Sequence, residues 1–217
     1  GLRLFMKSFL KITFAILVIF SSSEVLALDI SPDNPNLQFM GRWDFSNPKA
    51  PQTSWGHSLK AWFTGTSISI KTNQTGTSGI YYEYSIDDSA FKTVSGSGAQ
   101  TFSLATGLSA GSHSLIFRRR LEASYGLSTI EGLIIDDGAL LEMPNAPSVL
   151  QLEFIGDSIT AGFGSEAAQS VTTNNINVTW AARLADKLGA DRTTIARSGI
   201  GISIDVNGSE LSMPKRY

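Results

Sequence analysis

The chain has 217 residues, 17 Lys and Arg against 19 Asp and Glu, and a formal net charge of −2. This balance excludes a basic nucleic-acid-binding protein, and the absence of cysteine excludes a disulfide scaffold, a cysteine nucleophile and a cysteine-ligated metal. Two histidines argue against a histidine-rich metal site, and we expect no cofactor.

Residues 1–27 have the pattern of a secretory signal peptide. Lys7 and Lys11 flank the start of an apolar run over 12–20, which is too short to span ~30 Å of hydrocarbon as a membrane anchor. Val25-Leu26-Ala27 satisfies the small-residue rule for cleavage, which would leave Leu28 first. We therefore expect a secreted, extracellular protein without membrane attachment once the signal is removed. Asn73, Asn177 and Asn207 begin Asn-x-Ser/Thr sequons and are candidate glycosylation sites.

Residues 28–141 have the pattern of an all-β domain. Short runs rich in Ile, Tyr, Phe, Ser and Thr alternate with turn residues, and Asp87-Asp88 marks one such turn. This spacing, without an intervening helical stretch, predicts an antiparallel sandwich or jelly roll. The predicted strands cover 61–65, 67–71, 80–86, 91–94, 101–104, 113–117 and 127–135.

Residues 142–148 are predicted to be a linker because two prolines fall within four positions. The pattern then changes to strand 149–155, helix 179–190 and strand 193–196, an order that predicts a parallel βαβ unit. The predicted helix has Thr179 as its cap, Trp180, Leu184 and Leu188 at helical spacing, and Gly189 at its end. Since 149–217 is short for an open parallel sheet with helices on both faces, we expect a C-terminally truncated α/β domain.

Two serines are candidate nucleophiles. Ser109 lies in Gly107–Gly111, a literal G-x-S-x-G, but both flanks are strand-like, so we predict a hairpin loop instead of a catalytic turn. Ser158 directly follows an apolar strand in Gly156-Asp157-Ser158, where free N–H groups would face its hydroxyl. We expect Asp157 to order this turn through hydrogen bonds to the backbone.

The stretch Phe154–Gly162, which contains GDSIT after a strand, resembles the first block of the SGNH (GDSL-type) hydrolases. A β domain, a proline-containing linker and then FIGDSITAGFG resemble carbohydrate esterase family 2, the two-domain acetyl xylan esterases. Gly111-Ser112-His113 and Arg118–Glu122 also resemble a stretch of that family's β domain, with Leu121 in place of its usual Thr. The resemblance covers residues 41–217.

The resemblance implies a serine esterase without cofactor or metal. Ser158 would attack an acetyl carbonyl and supply one oxyanion N–H. Residues 196–201 resemble the family's second block. This block would supply a second oxyanion N–H, from Gly201 or alternatively from Gly199. The family's third-block Asn and its C-terminal Asp-x-x-His are absent from this sequence. His57 and His113 lie in the β domain and are interpreted as structural, so we expect this chain to be inactive as given.

Three functions remain in competition. The first is a secreted esterase that removes acetyl groups from xylan or a related polysaccharide, which would be its partner. The second is a carbohydrate-binding β module with an inert hydrolase remnant. In such a module Trp43, Trp55 and Trp62 could stack on sugars, although packing in the sandwich core is the favoured interpretation of each. The third is a hydrolase directed at a lipid or thioester. We interpret Arg118, Arg119 and Arg120 as an exposed strand end in preference to an anion site, with contact to the second domain as the alternative.

Overall fold

The computed structural model describes residues 27–76, 79–208 and 212–217. The predicted signal peptide, residues 1–27, therefore lies outside the described residues except for Ala27. Its cleavage stays a prediction. Among the described residues, no helix combines the length and the apolar character needed to cross a bilayer.

Among the described residues up to 142, eleven strands form two antiparallel sheets. The first sheet has the order β1-β10-β5-β8, with β3 also paired to β10, and the second has the order β11-β4-β9-β6-β7, with β2 also paired to β4. The strands are β1 Ala27–Ile30, β2 Gln38–Met40, β3 Gln52–Thr53, β4 Ser58–Thr64, β5 Ile68–Gln74, β6 Ile80–Ile86, β7 Lys92–Gly96, β8 Gly98–Ala105, β9 Ser112–Arg119, β10 Ser128–Asp136 and β11 Leu141–Glu142.

The two sheets enclose one apolar core. In β4 the alternate residues Leu59, Ala61 and Phe63 are fully buried, as the two-residue period of a strand requires. They pack in the same cluster as Ile68 and Ile70 from β5 of the other sheet. Burying each such large side chain contributes roughly 1.5–3 kcal/mol.

The predicted strands of this region are confirmed, with shifts of a few residues at their ends. Asp87 and Asp88 both adopt positive φ (51° and 56°), which confirms the predicted turn after β6. The prediction of a hairpin at Gly107–Gly111 is wrong. These residues join β8 of one sheet to β9 of the other, because strand periodicity does not reveal which sheet a strand joins.

The second part of the chain contains a parallel strand pair. Strand β12, Gln151–Gly156, and strand β13, Asp191–Ala196, are paired in parallel from Gln151↔Asp191 to Gly156↔Ala196. Between them lie the helices α1, Ser158–Ala161, and α2, Trp180–Leu188, and the 3-10 helix Ile176–Val178. A further short helix, α3, covers Met213–Arg216, and a 3-10 helix in the first part covers Ala123–Tyr125.

Helix α2 begins and ends where its caps predict. The Thr179 hydroxyl accepts a hydrogen bond from the Ala182 N–H, and Gly189 ends the helix in the left-handed conformation with φ 61°. The face that packs inward consists of alanines 181, 182 and 185, all fully buried. The larger apolar side chains of the predicted stripe, Trp180, Leu184 and Leu188, are exposed.

Several polar contacts join the two parts. Lys60 of β4 forms an ion pair with Asp191 at 2.7 Å, and Arg120 forms one with Glu166. The interpretation of Arg119 and Arg120 as an exposed strand end is wrong, since both side chains are buried. Contact with the second part, the alternative, is confirmed: the Arg119 carbonyl accepts a hydrogen bond from the Asn177 amide at 2.9 Å.

Candidate active site

Ser158 lies at a sharp turn from strand to helix. β12 ends at Gly156, Asp157 is extended, and Ser158 is the first residue of α1. The Asp157 carboxylate accepts a hydrogen bond from the Ile159 N–H at 3.0 Å, which confirms the predicted ordering of the turn. Ser158 is half-buried, so its hydroxyl is held at the carboxyl end of the strand without being enclosed.

Gly156 is required by the close packing of α1 on its own strand. A Cβ at this position would lie 2.3 Å from Oγ1 and 2.7 Å from Cβ of Thr160. Any larger residue would push the first turn of α1 away from β12. The glycine therefore determines where Ser158 sits relative to the sheet.

The residues that resemble the second block form a loop at the end of β13. The Arg197 N–H donates to the Gly156 carbonyl at 3.2 Å, which ties the loop to the end of β12. Gly199 has φ +77°, a conformation that L side chains rarely adopt. At Gly201 a Cβ would lie 2.1 Å from the Ile204 carbonyl oxygen. Both glycines are thus imposed by the fold of this loop.

Ser158 and the two glycines line one open cavity of about 300 Å³. Parallel pairing of β12 and β13 brings their carboxyl ends together, which is the edge where open α/β sheets bind ligands. Among the described residues, the N–H groups of Ser158, Gly199 and Gly201 donate to no protein acceptor. The remaining cavity lining comes from Asp157, Ile200, Ile204, Asp205 and Val206. This arrangement places the Ser158 hydroxyl and three amide groups without a protein acceptor on the lining of one cavity.

Neither histidine of the chain lines this cavity. His57 is buried beside Trp43, with ring centroids 4.3 Å apart, and burial, aided by the Arg119 charge, holds its pKa well below 6.5. His113 lies 2.6 Å from the Asp87 carboxylate and 2.8 Å from the Ser109 carbonyl. The hydrogen bond to Asp87 raises the pKa of His113. Both environments fit structural roles.

The candidate glycosylation sites differ in exposure. Asn73 and Asn207 are exposed, whereas Asn177 is buried. The Asn177 side-chain amide donates to the Arg119 carbonyl and its oxygen accepts a hydrogen bond from Arg192 at 2.5 Å. A glycan on the Asn177 nitrogen would not fit this packing, which leaves Asn73 and Asn207 as the candidates that the fold accommodates.

Several buried polar residues at the contact between the two parts were not singled out from the sequence. Asn174 and Asn175 are almost fully buried, and the Asn175 amide bonds Glu83 at 3.1 Å and Glu166 at 2.8 Å. Glu122, the last residue of the Arg118–Glu122 stretch, accepts a hydrogen bond from the Ser198 N–H in the loop after β13. Three asparagines within the four positions 174–177 are the sequence feature that could have indicated the buried Asn174 and Asn175. Within the described ranges, no group of three or more His, Asp or Glu side chains is placed to hold a metal ion.

The fold and the strand–Gly–Asp–Ser–helix turn define a class: the chain is similar to SGNH-type serine hydrolases that carry a β domain. Within that class it is related to the family 2 carbohydrate esterases. Residues 39–144 match the family model of the carbohydrate esterase 2 N-terminal domain.

Three relatives illustrate this similarity. The cellulase/esterase CelE of Acetivibrio thermocellus is 35% identical over 184 residues, which are 82% of this chain and 22% of that protein. A family two carbohydrate esterase from Clostridium thermocellum, solved in complex with cellohexaose, is 30% identical with a TM-score of 0.74 over 79% of this chain and 54% of the other. The family two esterase from Cellvibrio japonicus shares the fold, with 20% identity and a TM-score of 0.80 over 87% of this chain and 58% of the other. The chain thus spans little more than half the length of these solved structures and about a fifth of CelE.

Proposed function

We propose that the protein containing this chain is a secreted carbohydrate O-acetyl esterase that removes acetyl groups from xylan or a related polysaccharide. The observation that carries the proposal is the shared cavity of Ser158, Gly199 and Gly201 at the carboxyl ends of two parallel strands. The relationship to family 2 carbohydrate esterases supports ester hydrolysis on a carbohydrate.

In this proposal residues 149–217 are the first part of an α/β SGNH-hydrolase domain that follows the β-sandwich. The parallel pair β12–β13 and the helix between its strands support this assignment. The exposed side chains of Trp180, Leu184 and Leu188 also support it, because further elements of such a domain would cover them.

The chemistry follows from the groups in the cavity. The Ser158 Oγ attacks the acetyl carbonyl carbon, its proton passes to a base, and the sugar hydroxyl leaves with a proton as the acyl-enzyme forms. Water then attacks the acetyl carbonyl, which releases acetate and restores the serine. The N–H groups of Ser158 and of Gly201, or alternatively Gly199, stabilise the oxyanion in both steps.

The base is proposed to come from outside these 217 residues. Both histidines of the chain lie within the β-sandwich and neither lines the cavity with Ser158, and a serine hydroxyl without a base is a poor nucleophile. We therefore expect residues 28–217 alone to show no steady turnover of an aryl acetate. Turnover by that segment, abolished by Ser158→Ala, would contradict this assignment of the base.

The function is tested by acetate release from acetylated xylan by the full-length protein. Ser158→Ala is expected to lower kcat at least about 10³-fold, because the nucleophile is removed. Ser198→Ala is the matched control in the neighbouring loop and should retain activity. Equal rates for the wild type and Ser158→Ala would refute the proposal.

A lipid or thioester substrate is separated from an acetylated carbohydrate by a series of acyl chain lengths. An acetyl esterase should lose kcat/KM steeply beyond the acetyl group, since longer chains would need an apolar pocket. Values of kcat/KM that rise with acyl chain length would favour the hypothesis of a lipid or thioester substrate.

A carbohydrate-binding role for the β-sandwich is the second candidate, and one groove favours it. Trp55 is half-exposed and lines a groove of about 280 Å³ together with Asp44, Gln52 and Arg42, a mixture of aromatic and polar groups suited to sugars. Trp43 also lines this groove but packs on Phe39 at 5.0 Å, and Trp62 is half-buried. Retention of the full chain on insoluble xylan or cellulose, lost in Trp55→Ala and kept in Ser158→Ala, is the expected behaviour of a binding module.

A further inference from the structure

Glu122 is a buried carboxylate of the β-sandwich that the proposed reaction does not use. Its side chain is only 4% exposed, and one carboxylate oxygen accepts a hydrogen bond from the Ser124 hydroxyl at 2.5 Å. The other oxygen accepts the backbone N–H of Ser198, which is 76 positions further along the chain. Hydrogen bonds to a carboxylate are stronger than bonds between neutral groups, so this contact firmly joins the two parts of the molecule.

The Ser198 N–H belongs to the loop that lines the cavity with Ser158. This loop is held at one end by Arg197, whose N–H donates to the Gly156 carbonyl at 3.2 Å. Further on, the Gly199 and Gly201 carbonyls accept from Val206 at 2.7 Å and Met213 at 2.9 Å. Glu122 supplies a further restraint, directly before Gly199, and this one comes from the β-sandwich.

Glu122 is itself held rigidly by Arg119. The fully buried Arg119 guanidinium donates to the carbonyls of Leu121 at 2.6 Å, of Glu122 at 2.8 Å and of Gly126 at 2.8 Å. It also donates to the Ser128 hydroxyl at 2.8 Å. The backbone that carries the Glu122 side chain therefore has little freedom to move.

We propose that Glu122 is a positioning residue for the oxyanion-binding loop. By holding the Ser198 N–H, it keeps the amides of Gly199 and Gly201 directed toward the carbonyl that Ser158 attacks. The β-sandwich thereby completes the site of the hydrolase part, in addition to any contact it makes with polysaccharide. The expected effect of Glu122 on catalysis rests on the proposed esterase function, whereas its expected effect on the order of the loop does not.

Amide hydrogen exchange in the full-length protein tests the structural consequence. We expect Glu122→Ala to raise exchange at residues 198–201 about tenfold, and Glu122→Gln, which keeps an acceptor oxygen, to raise it less. Glu166→Gln is the matched control, because it also removes a carboxylate that joins the two parts but does not touch this loop. Unchanged exchange at 198–201 in Glu122→Ala would overturn the proposal. The proposal would also be overturned if both Glu122 variants raised amide exchange in the sandwich strands β5 and β9 as much as at residues 198–201. Glu122 would then stabilise the whole fold and would not position this loop.

The kinetic consequence is tested with an acetyl ester and the same variants. Glu122→Ala should lower kcat by about 10- to 100-fold with KM changed less than twofold, because the loop's amides act on the transition state. Glu122→Gln should recover part of the loss, and an unchanged kcat in Glu122→Ala would overturn the proposal. If the wild type and Ser158→Ala are equally inactive, the esterase function fails instead, and the exchange measurement still decides whether Glu122 holds the loop.

Discussion

Arg119 is a fully buried cation whose donors are taken up by backbone and side-chain oxygens of the β-sandwich. Burial lowers its pKa to about 10, with Tyr82 and Glu122 acting in the opposite direction, so it remains charged at neutral pH. Hydrogen bonds to carbonyls stabilise such a charge only as a set, because each unmade bond would leave a buried polar group without a partner.

Replacing Arg119 should therefore destabilise the protein strongly. We expect Arg119→Met to lower the free energy of unfolding by about 3–5 kcal/mol, since it leaves the buried carbonyls of Leu121 and Gly126 without their donor and removes one of the two donors to the Glu122 carbonyl. Urea denaturation measures the change. Arg183→Met, at an exposed arginine of α2, is the control and should change stability by no more than about 0.5 kcal/mol. Similar small effects for both variants would contradict this account of Arg119.

The His113–Asp87 pair should make stability depend on pH. The hydrogen bond to Asp87 raises the pKa of His113 above 6.5. Burial alone would raise the pKa of Asp87, but hydrogen bonds from Ser114 and His113 outweigh it, and the pKa of Asp87 is lowered. A histidine with a raised pKa contributes stability that is fully present below pH 6.5 and is lost as the pH rises through its folded-state value.

The wild type should therefore exceed Asp87→Asn in unfolding free energy most clearly between pH 5 and 6.5, with the difference shrinking toward pH 8. Urea denaturation at several pH values gives this difference directly. A difference that grows with pH would show that the pair does not act through a protonated His113.

At the scale of elements, two helices end with glycine in the same left-handed conformation but in different surroundings. Gly162 ends α1 with φ 79°, and Gly189 ends α2 with φ 61°. A Cβ at Gly162 would lie 2.2 Å from the Asn175 carbonyl oxygen, whereas at Gly189 it would meet nothing within 4 Å.

The two alanine variants separate backbone strain from steric contact. Gly189→Ala should cost about 1 kcal/mol of unfolding free energy, the cost of a side chain in this conformation. Gly162→Ala should cost at least about 2 kcal/mol more, because Asn175 must move as well. Chemical denaturation of the two variants compares them, and equal costs would show that the contact at Asn175 is absent.

The elements show what could be predicted from sequence and what could not. Strand alternation and the caps Thr179 and Gly189 act locally, so strands β4 to β10 and helix α2 were predicted with small end errors. The short strands β1, β2, β3 and β11 were not predicted, because two to four residues show too little alternation. The nucleophile candidate was also local, since the Gly156-Asp157-Ser158 turn directly follows a strand. The sheet that each strand joins, and the burial of Arg119 and Arg120, depend on contacts far apart in sequence and were not predictable from periodicity. The Ser198–Glu122 hydrogen bond is of the same long-range kind.

For the whole molecule, the two parts should differ in resistance to proteolysis. The β-sandwich has one large enclosed core, whereas the second part has a small cluster around Phe154, Ala181 and Ala185 and exposes Trp180 and Leu188. Since stability follows apolar burial, limited proteolysis of this chain should cleave within 149–217 before 29–141. Mass spectrometry of the fragments identifies the order. A surviving 149–217 segment after loss of the sandwich would contradict the division into these two parts.

The central claim is that Ser158 is the nucleophile of an esterase whose base lies outside these 217 residues. Reading the coding sequence beyond the Tyr217 codon tests it most directly. We predict that it continues through a block bearing an Asn to an Asp-x-x-His, the remaining elements that the SGNH resemblance implies. A stop codon directly after Tyr217 would contradict the claim, because Ser158 would then have no base, and carbohydrate binding by the β-sandwich would be the function left to test.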